Sequence, residues 1–250
     1  MLPSNSLLHL KHNSTIEKSL ETQRSFKVVW STRMTPFLKY TSARAEASQR
    51  IVEFDLTAKE SVQNLAGPDN PDTRLWLYND RLGGPFLKAR QGDLLQVRFQ
   101  NQLTVPSTIH WHGIRNINAM DGVAGLTQDP VPPGGEFIYT VPLRDAGTYW
   151  YHAHTMAWEQ VARGLYGPLI VQGNDDIEVD QELVLILDDW RLDENAQIDE
   201  ASFRSMHDWS HNGRLGNWFT VNGRLQPQFP VSGGSRLRLR LINAANARVL

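Results

Sequence analysis

Two stretches of similar form stand out in the chain, Thr108-Ile109-His110-Trp111-His112-Gly113 and, downstream, Tyr149-Trp150-Tyr151-His152-Ala153-His154-Thr155. Four of the eight histidines fall in these two stretches, as two His-x-His pairs. In a β-strand, residues i and i+2 point to the same face, so each pair projects two imidazoles from one side of a sheet. If the two strands are neighbours, four imidazoles converge, as they do in metal sites. The predicted metal ligands are His110, His112, His152 and His154.

The donor atoms of these side chains limit the choice of metal. Imidazole nitrogens without thiolates or carboxylates suit copper or zinc better than magnesium or calcium. One His-x-His pair alone would equally fit histidines that only make hydrogen bonds, whereas two pairs flanked by aromatic and small residues favour a metal site. The chain has no cysteine, which excludes disulfides, thiolate nucleophiles, iron–sulfur clusters and cysteine-ligated zinc.

The composition argues against two other classes of protein. The formal net charge is −2 with both signs interspersed, and no basic patch that would attract nucleic acid is visible. No apolar run approaches the roughly 18 residues of a membrane-spanning helix. With 250 residues, the chain has room for one large domain or two smaller ones.

Short segments that alternate apolar and polar residues, separated by Gly, Pro, Asn and Asp, surround the two histidine stretches. Such segments are typical of the strands of an all-β sandwich. The predicted strands include residues 50–56, 75–78, 86–90, 94–101, 136–141, 167–172, 181–190 and 235–242. One helical turn is expected over residues 156–163, and Asn222-Gly223 indicates a tight turn.

The order of these strands predicts one complete β-sandwich domain over residues 49–173 and an incomplete second domain over residues 181–250. In the second domain, residues 235–242 alternate Arg and Leu, and the leucines are the expected apolar face. An incomplete sandwich should leave an open sheet edge and an uncovered apolar face, which lowers solubility. The leader, residues 1–48, lacks sustained periodicity and the apolar core of a secretion signal, and we expect it to be disordered.

Several motifs resemble those of one protein family. His110-Trp111-His112-Gly113 and residues 147–154 resemble the first two copper-binding motifs of the multicopper oxidases, the superfamily of laccases, ascorbate oxidase and bacterial copper-resistance oxidases. Asp121-Gly122 and Pro132-Pro133-Gly134 are similar to the loop that links these motifs. The resemblance covers residues 50–250 and implies a cupredoxin-like Greek-key β-sandwich, with one complete domain and the start of a second.

The resemblance implies copper as the cofactor, at type 2 and type 3 sites that are incomplete in this chain. By motif position, His110 would bind the type 2 copper, and His112, His152 and His154 would bind the type 3 pair. In the family, this three-copper cluster reduces dioxygen to water. Asp121 matches an acidic residue that assists proton delivery in bacterial members, and an ordinary Asp-Gly turn residue is the alternative interpretation.

The sequence departs from the family in its C-terminal ligands. Family members complete the cluster with two further motifs, which supply four more histidines together with the Cys and His of the type 1 blue copper. These 250 residues contain neither motif and no cysteine. We therefore expect the N-terminal part of a copper-dependent oxidoreductase that contributes half of the cluster. The alternatives are a copper-binding cupredoxin-like protein or truncated gene product without turnover of its own, and a zinc site on the same sandwich.

The resemblance also implies partners and a location. Dioxygen and an unidentified reducing substrate are the expected reactants, and a partner chain is one source of the missing C-terminal ligands. The family suggests a periplasmic or secreted protein, although residues 1–48 contain no convincing secretion signal.

A second histidine pair lies outside these motifs. His207 and His211 are four positions apart, which would place them on one face of a helix. The Asp, Trp and Ser between them and the Asn212-Gly213 that follows favour a loop instead. An unliganded role is therefore the expectation for this pair, and metal binding is the alternative.

Overall fold

A computed structural model describes residues 49–174 and 177–250 of the chain. The leader predicted over residues 1–48 lies outside the described residues. The strands in the described part are β1 (Ile51–Gln63), β2 (Thr73–Tyr78), β3 (Leu87–Arg90), β4 (Leu94–Asn101), β5 (Ile109–His112), β6 (Glu136–Pro142), β7 (Gly147–Ala153), β8 (Tyr166–Gln172), β9 (Gln181–Trp190), β10 (Trp218–Val221) and β11 (Leu237–Asn243). The α-helices there are α1 (Ala157–Gln160) and α2 (Met206–Ser210), and the 3₁₀ helices are Asn118–Met120 and Glu200–Arg204.

The first eight strands form two four-stranded sheets around a common core. One sheet has the order β2-β1-β4-β6 and the other the order β3-β8-β7-β5. β1 pairs with β4 in parallel, and β3 pairs with β8 in parallel, whereas the remaining neighbours in these two sheets are antiparallel. Pairing between strands that are distant in sequence is typical of Greek-key sandwiches. The predicted all-β sandwich is therefore confirmed.

Alternating side chains build the core between these two sheets. In β4, Leu95, Val97 and Phe99 are buried, and the residues between them are more exposed. Trp111 of β5 and Tyr151 of β7 belong to the same buried cluster from the other sheet. The period-two alternation in the sequence is thus the pattern that fills this core.

A third sheet, with the order β10-β9-β11, packs against the first sandwich. Its residues Ile186, Trp190 and Ile242 share a buried cluster with Tyr166 of β8. The Tyr166 hydroxyl also forms a buried hydrogen bond of 2.5 Å with the carboxylate of Asp188. These contacts join the two predicted domains through apolar packing, and the boundary between the domains stays a prediction.

Strand β11 exposes the leucines that the sequence marks as its apolar face. Arg238 and Arg240 both bind Glu182, with nitrogen–oxygen distances of 3.3 and 2.8 Å. Leu239 and Leu241, which alternate with them, are 52% and 60% exposed. Within the described residues, the expected uncovered apolar face is therefore present, and its effect on solubility stays a prediction.

The Asn222-Gly223 turn is confirmed. Both residues have positive φ, 52° and 69°, and the backbone N–H of Val221 donates to the carbonyl of Arg224 across the turn. Two successive positive φ values are what the tightest hairpin turns require, and glycine adopts them without steric cost. The helical turn expected over residues 156–163 is also present, as the shorter helix α1.

The loop predicted around His207 and His211 is wrong, because residues Met206–Ser210 form helix α2. The Ser205 side chain accepts a hydrogen bond from the backbone N–H of Asp208, an N-cap that stabilises the first turn. The Asp208 carboxylate in turn binds Arg191 at 2.7 Å. None of the described helices has the length and apolar composition that crossing a membrane requires.

The exposed face of β11 generates a prediction. Replacing Leu239 and Leu241 together by Thr should reduce concentration-dependent light scattering and leave the urea midpoint unchanged, because both side chains are already in solvent. The matched control is Ile242→Thr on the opposite face, where the side chain is 6% exposed. Burying a hydroxyl there should lower the free energy of unfolding by about 1–3 kcal/mol. Unchanged scattering in the double variant would show that this face does not drive association.

Candidate metal centre

Strands β5 and β7 set the two histidine pairs against each other. They run antiparallel, and their register places His110 directly opposite His152. On β5, the alternating residues Ile109 and Trp111 point into the core and are fully buried. Tyr151 does the same on β7. The histidines between these core residues therefore leave the sheet on its other face.

All four imidazole rings come together around His110. Its ring centroid lies 5.6 Å from that of His112, 5.4 Å from that of His152 and 5.0 Å from that of His154. His110, His112 and His152 each offer a ring nitrogen within 4.8 Å of the other two. His154 lies one residue beyond β7, and its backbone N–H donates to the carbonyl of Thr108 at 3.3 Å. Nitrogens this close together can bind one metal ion or two neighbouring ions.

Backbone carbonyls decide which ring nitrogens are free to bind. His110 Nδ1 lies 2.7 Å from the carbonyl oxygen of Asp121, and His152 Nδ1 lies 2.9 Å from that of Ala153. A carbonyl only accepts, so both Nδ1 atoms carry the proton and both Nε2 atoms keep a free lone pair. Metal-bound histidines usually have this arrangement. His152 Nε2 also lies 3.4 Å from His112 Nδ1, so nitrogens of two different pairs are adjacent.

The surroundings favour neutral imidazoles. Burial lowers the pKa of His152 to about 4, although its hydrogen bond to the Ala153 carbonyl acts in the opposite direction. Burial also lowers the pKa of His112, with further contributions from the rings of His110 and His154. Metals bind the neutral ring, so His112 and His152 need not lose a proton before they bind an ion near pH 7.

The loop after β5 closes onto that strand at Gly122. This residue has a φ of +76°, and a Cβ atom there would lie 1.8 Å from the carbonyl oxygen of Ile109. Only glycine fits so close to the strand. Asp121, the preceding residue, is thereby held beside His110, with its carboxylate Oδ1 3.6 Å from His110 Nδ1 and its side chain 31% exposed. The structure thus places Asp121 next to the centre, and its role in proton delivery stays a prediction.

The contacts of two supporting residues, Gln160 and Tyr139, have no signal in the sequence. Gln160 of α1 is fully buried, accepts a hydrogen bond from Ser107 Oγ at 2.7 Å and donates one to the Pro106 carbonyl at 2.9 Å. Tyr139 of β6 accepts a hydrogen bond from the backbone N–H of Ile109 at 2.8 Å. Gln160 thus supports the segment that leads into β5 and Tyr139 supports the first residue of β5, and both lie far along the chain from the residues they contact.

Trp150 packs against the centre. Its ring centroid lies 4.3 Å from that of His152 and 5.3 Å from that of His112. The contacts shield these two rings and restrict their orientation, which is what a packing residue does.

His207 and His211 are not part of the three-histidine group. They occupy α2 and the position directly after it, and both are exposed. Their rings stack on each other with a centroid distance of 4.3 Å. Among the described residues, the one group of three or more side chains close enough to share an ion is that formed by His110, His112 and His152.

Comparison with known proteins gives consistent likenesses. The sequence model of the multicopper oxidase family matches residues 61–176. The chain is 36% identical over 164 residues to a copper resistance protein A homolog of Pseudomonas syringae pv. tomato, covering 65% of this chain and 27% of that protein. It is 32% identical over 206 residues to Laccase-1 of Cryptococcus neoformans var. neoformans serotype D, covering 72% of this chain and 32% of the laccase. The crystal structure of a multicopper oxidase from Pseudomonas thermotolerans superposes with a TM-score of 0.76 at 38% identity, covering 80% of this chain and 48% of that chain.

These likenesses bear on the fold and on the extent of the match. The structural superposition confirms the predicted cupredoxin-like fold. The chain spans 27% and 32% of the length of the two curated relatives and 48% of the solved chain. A match to only part of each relative agrees with a sequence that carries two of the family's histidine motifs.

Gly122 supplies a test of how the centre is positioned. Gly122→Ala should force the loop away from β5 and withdraw the Asp121 carbonyl from His110, because the added Cβ has no room beside the Ile109 carbonyl. Loss of a hydrogen bond that orients a ligand typically weakens metal binding by about 10–100-fold. Calorimetric titration of the metal-free chain with Cu²⁺ measures this change.

The matched control is Gly125→Ala in the same loop. Gly125 has a φ of +75°, nearly the same as Gly122, but an added Cβ would meet nothing within 4 Å. The control variant therefore carries the same backbone strain without the clash. Equal Cu²⁺ affinity of the two variants would contradict the proposed link between the Gly122 contact and the orientation of His110.

Proposed function

We propose that the chain is the N-terminal part of a multicopper oxidase and supplies half of the ligands of the three-copper cluster at which that family reduces dioxygen to water. The observation that carries this proposal is the convergence of four imidazoles on one face of β5 and the end of β7. The donor set fits copper, because every donor is an imidazole nitrogen and no thiolate or carboxylate joins the group.

The ligands are assigned by their positions in the two motifs. His110 is the proposed type 2 ligand, and His112, His152 and His154 are the proposed type 3 ligands. The separation of 3.4 Å between His112 Nδ1 and His152 Nε2 supports placing these two residues at one pair of neighbouring ions. Imidazole nitrogens bind first-row transition metals at about 2 Å. Nitrogens that lie next to each other on two strands can therefore bind two neighbouring ions.

Copper bound here would supply the electron transfer and the binding of oxygen. The residues of the chain hold the donor atoms ready for it. The carbonyls of Asp121 and Ala153 keep the ring protons of His110 and His152 on Nδ1, so their Nε2 lone pairs remain available. Burial keeps His152 neutral at pH 7 through its lowered pKa.

Asp121 is the proposed proton-delivering residue. Its carboxylate lies 3.6 Å from His110 Nδ1 while remaining partly exposed, so it is in reach of both the centre and solvent. This position supports a role in passing protons inward. The second interpretation is that Asp121 is an ordinary turn residue. In that case its carboxylate has no role, and Asp121 contributes only its backbone carbonyl, which hydrogen-bonds to His110 Nδ1.

The remaining ligands of the cluster are proposed to come from polypeptide outside these 250 residues. The sequence has no cysteine, so it cannot form the thiolate-ligated type 1 site through which family members accept electrons from a reducing substrate. A longer form of this protein and a partner chain are the two sources. Dioxygen and an unidentified reducing substrate are then reactants of the completed enzyme.

A second candidate function is copper binding without turnover. The observation that favours it is the same absence of cysteine, since four histidines can hold copper without any route for electrons from a substrate. Zinc in place of copper is the third candidate, because zinc also accepts all-imidazole ligand sets.

The proposed domains are residues 49–173 for the complete sandwich and residues 181–250 for the incomplete second one. The proposed location is the periplasm or the cell exterior.

Copper loading of the metal-free chain tests the proposal. Cu²⁺ should bind with nitrogen hyperfine structure in its electron paramagnetic resonance spectrum and without an intense blue thiolate-to-copper band, since the chain has no cysteine. In a chain whose exposed His207 and His211 are both replaced by Gln, this species should persist, and replacing His110 and His152 by Gln in the same chain should abolish it.

Three outcomes would contradict this account. An intense blue band would require a thiolate ligand that the sequence does not contain. Preferential retention of zinc after exposure to equal concentrations of both metals would favour the zinc site. Oxidation of a phenol by the pure chain, at rates typical of complete enzymes, would show that the chain does not depend on further ligands.

A further inference from the structure

We propose that His207 and His211 form a separate surface site for a divalent transition-metal ion, with Cu²⁺ bound most tightly. Their rings are stacked at a centroid distance of 4.3 Å, with an angle of 25° between the ring planes. An ion about 2 Å from each imidazole nitrogen bridges two nitrogens that are up to about 4 Å apart. Rings this close together can each bring one nitrogen to a shared ion when their side chains rotate out of the stacked arrangement.

The hydrogen bonds of His211 prepare one of its nitrogens for metal binding. His211 Nδ1 lies 3.0 Å from the carbonyl oxygen of His207 and 3.0 Å from Ser210 Oγ. The Ser210 hydroxyl donates to the Met206 carbonyl at 2.7 Å, so its oxygen accepts from His211. Because the His207 carbonyl and the Ser210 oxygen both accept, His211 Nδ1 carries the proton and His211 Nε2 keeps its lone pair. Histidines that bind metals usually donate their other ring N–H to a carbonyl in this way.

Helix α2 is a fixed platform for the pair. The buried carboxylate of Asp208, which lies between the two histidines in sequence, binds Arg191 at 2.7 Å. The Ser205 side chain caps the start of the helix, and the Gly213 N–H donates to the Asp208 carbonyl at its end. The ion pair to Arg191 thus ties the helix to the end of β9, and the two local hydrogen bonds stabilise its ends, while the two rings face solvent. Because the helix that carries the pair is already ordered, less conformational entropy is lost when the two rings bind one ion.

The chemistry of the pair defines the class of ion. Two imidazoles with open positions for water suit Cu²⁺, Ni²⁺ and Zn²⁺, and affinity for such ligands rises from Ni²⁺ to Cu²⁺ and falls again at Zn²⁺. Asp208 faces Arg191, so its carboxylate is engaged away from the pair and does not add a hard oxygen ligand. The exposed thioether of Met206 suits Cu(I) rather than Cu²⁺, so it is not part of the proposed site.

Two measurements on the full chain test this site. Equilibrium dialysis of the metal-free protein against Cu²⁺ gives the number of ions bound, and the variant with His207 and His211 both replaced by Gln should bind one ion fewer than the wild type. Met206→Leu is the matched control on the same helix and should bind as many ions as the wild type. Since the replaced rings are exposed, circular dichroism should show an unchanged fold.

Histidine modification by diethyl pyrocarbonate, read by peptide mass spectrometry, locates the ion. Saturating Cu²⁺ should slow the modification of His207 and His211 at least about 10-fold, because bound nitrogens lack the lone pair that reacts. Equal copper content in the wild type and the double variant, or unchanged modification rates at both residues, would overturn the proposal. Failure of the three-copper proposal would leave both results untouched, because they report on α2 alone.

Discussion

The antiparallel register of β5 and β7 is the constraint on which the metal centre depends. It sets His110 opposite His152 and turns Trp111 and Tyr151 into the core. A slip of one residue would exchange the two faces, which would bury the imidazoles and expose the aromatic rings. The burial of large aromatic side chains behind the sheet therefore fixes the same geometry that brings the histidines together in front of it.

Much of this arrangement is visible in the sequence because it is periodic. Period-two alternation predicts the strands, and the His-x-His spacing predicts that both members of a pair share a face. The sequence does not show that the two histidine pairs meet, because that depends on β7 being the neighbour of β5 in the sheet order. The close approach of Gly122 to Ile109 and the buried hydrogen bonds of Gln160 are contacts between distant residues, and a single sequence carries no signal for them.

In the second domain, the local sequence pattern gives the wrong structure for helix α2 and the right one for strand β11. The polar residues around His207 predict a loop, yet an N-cap from Ser205 and the ion pair between Asp208 and Arg191 stabilise α2. These are interactions that propensity does not include. The Arg–Leu alternation of β11, by contrast, correctly predicts an apolar face, and that face is exposed in the described part of the chain.

In the proposed centre, the imidazoles of β5 and of β7 with the residue after it bind copper together. Copper-edge X-ray absorption, measured on a chain whose His207 and His211 are replaced by Gln, tests this joint binding. We expect scattering from at least two imidazole rings per copper at about 2 Å, and this scattering should decrease when His110 is also replaced by Gln. Coordination dominated by oxygen atoms, with a spectrum that does not change on replacing His110, would contradict it.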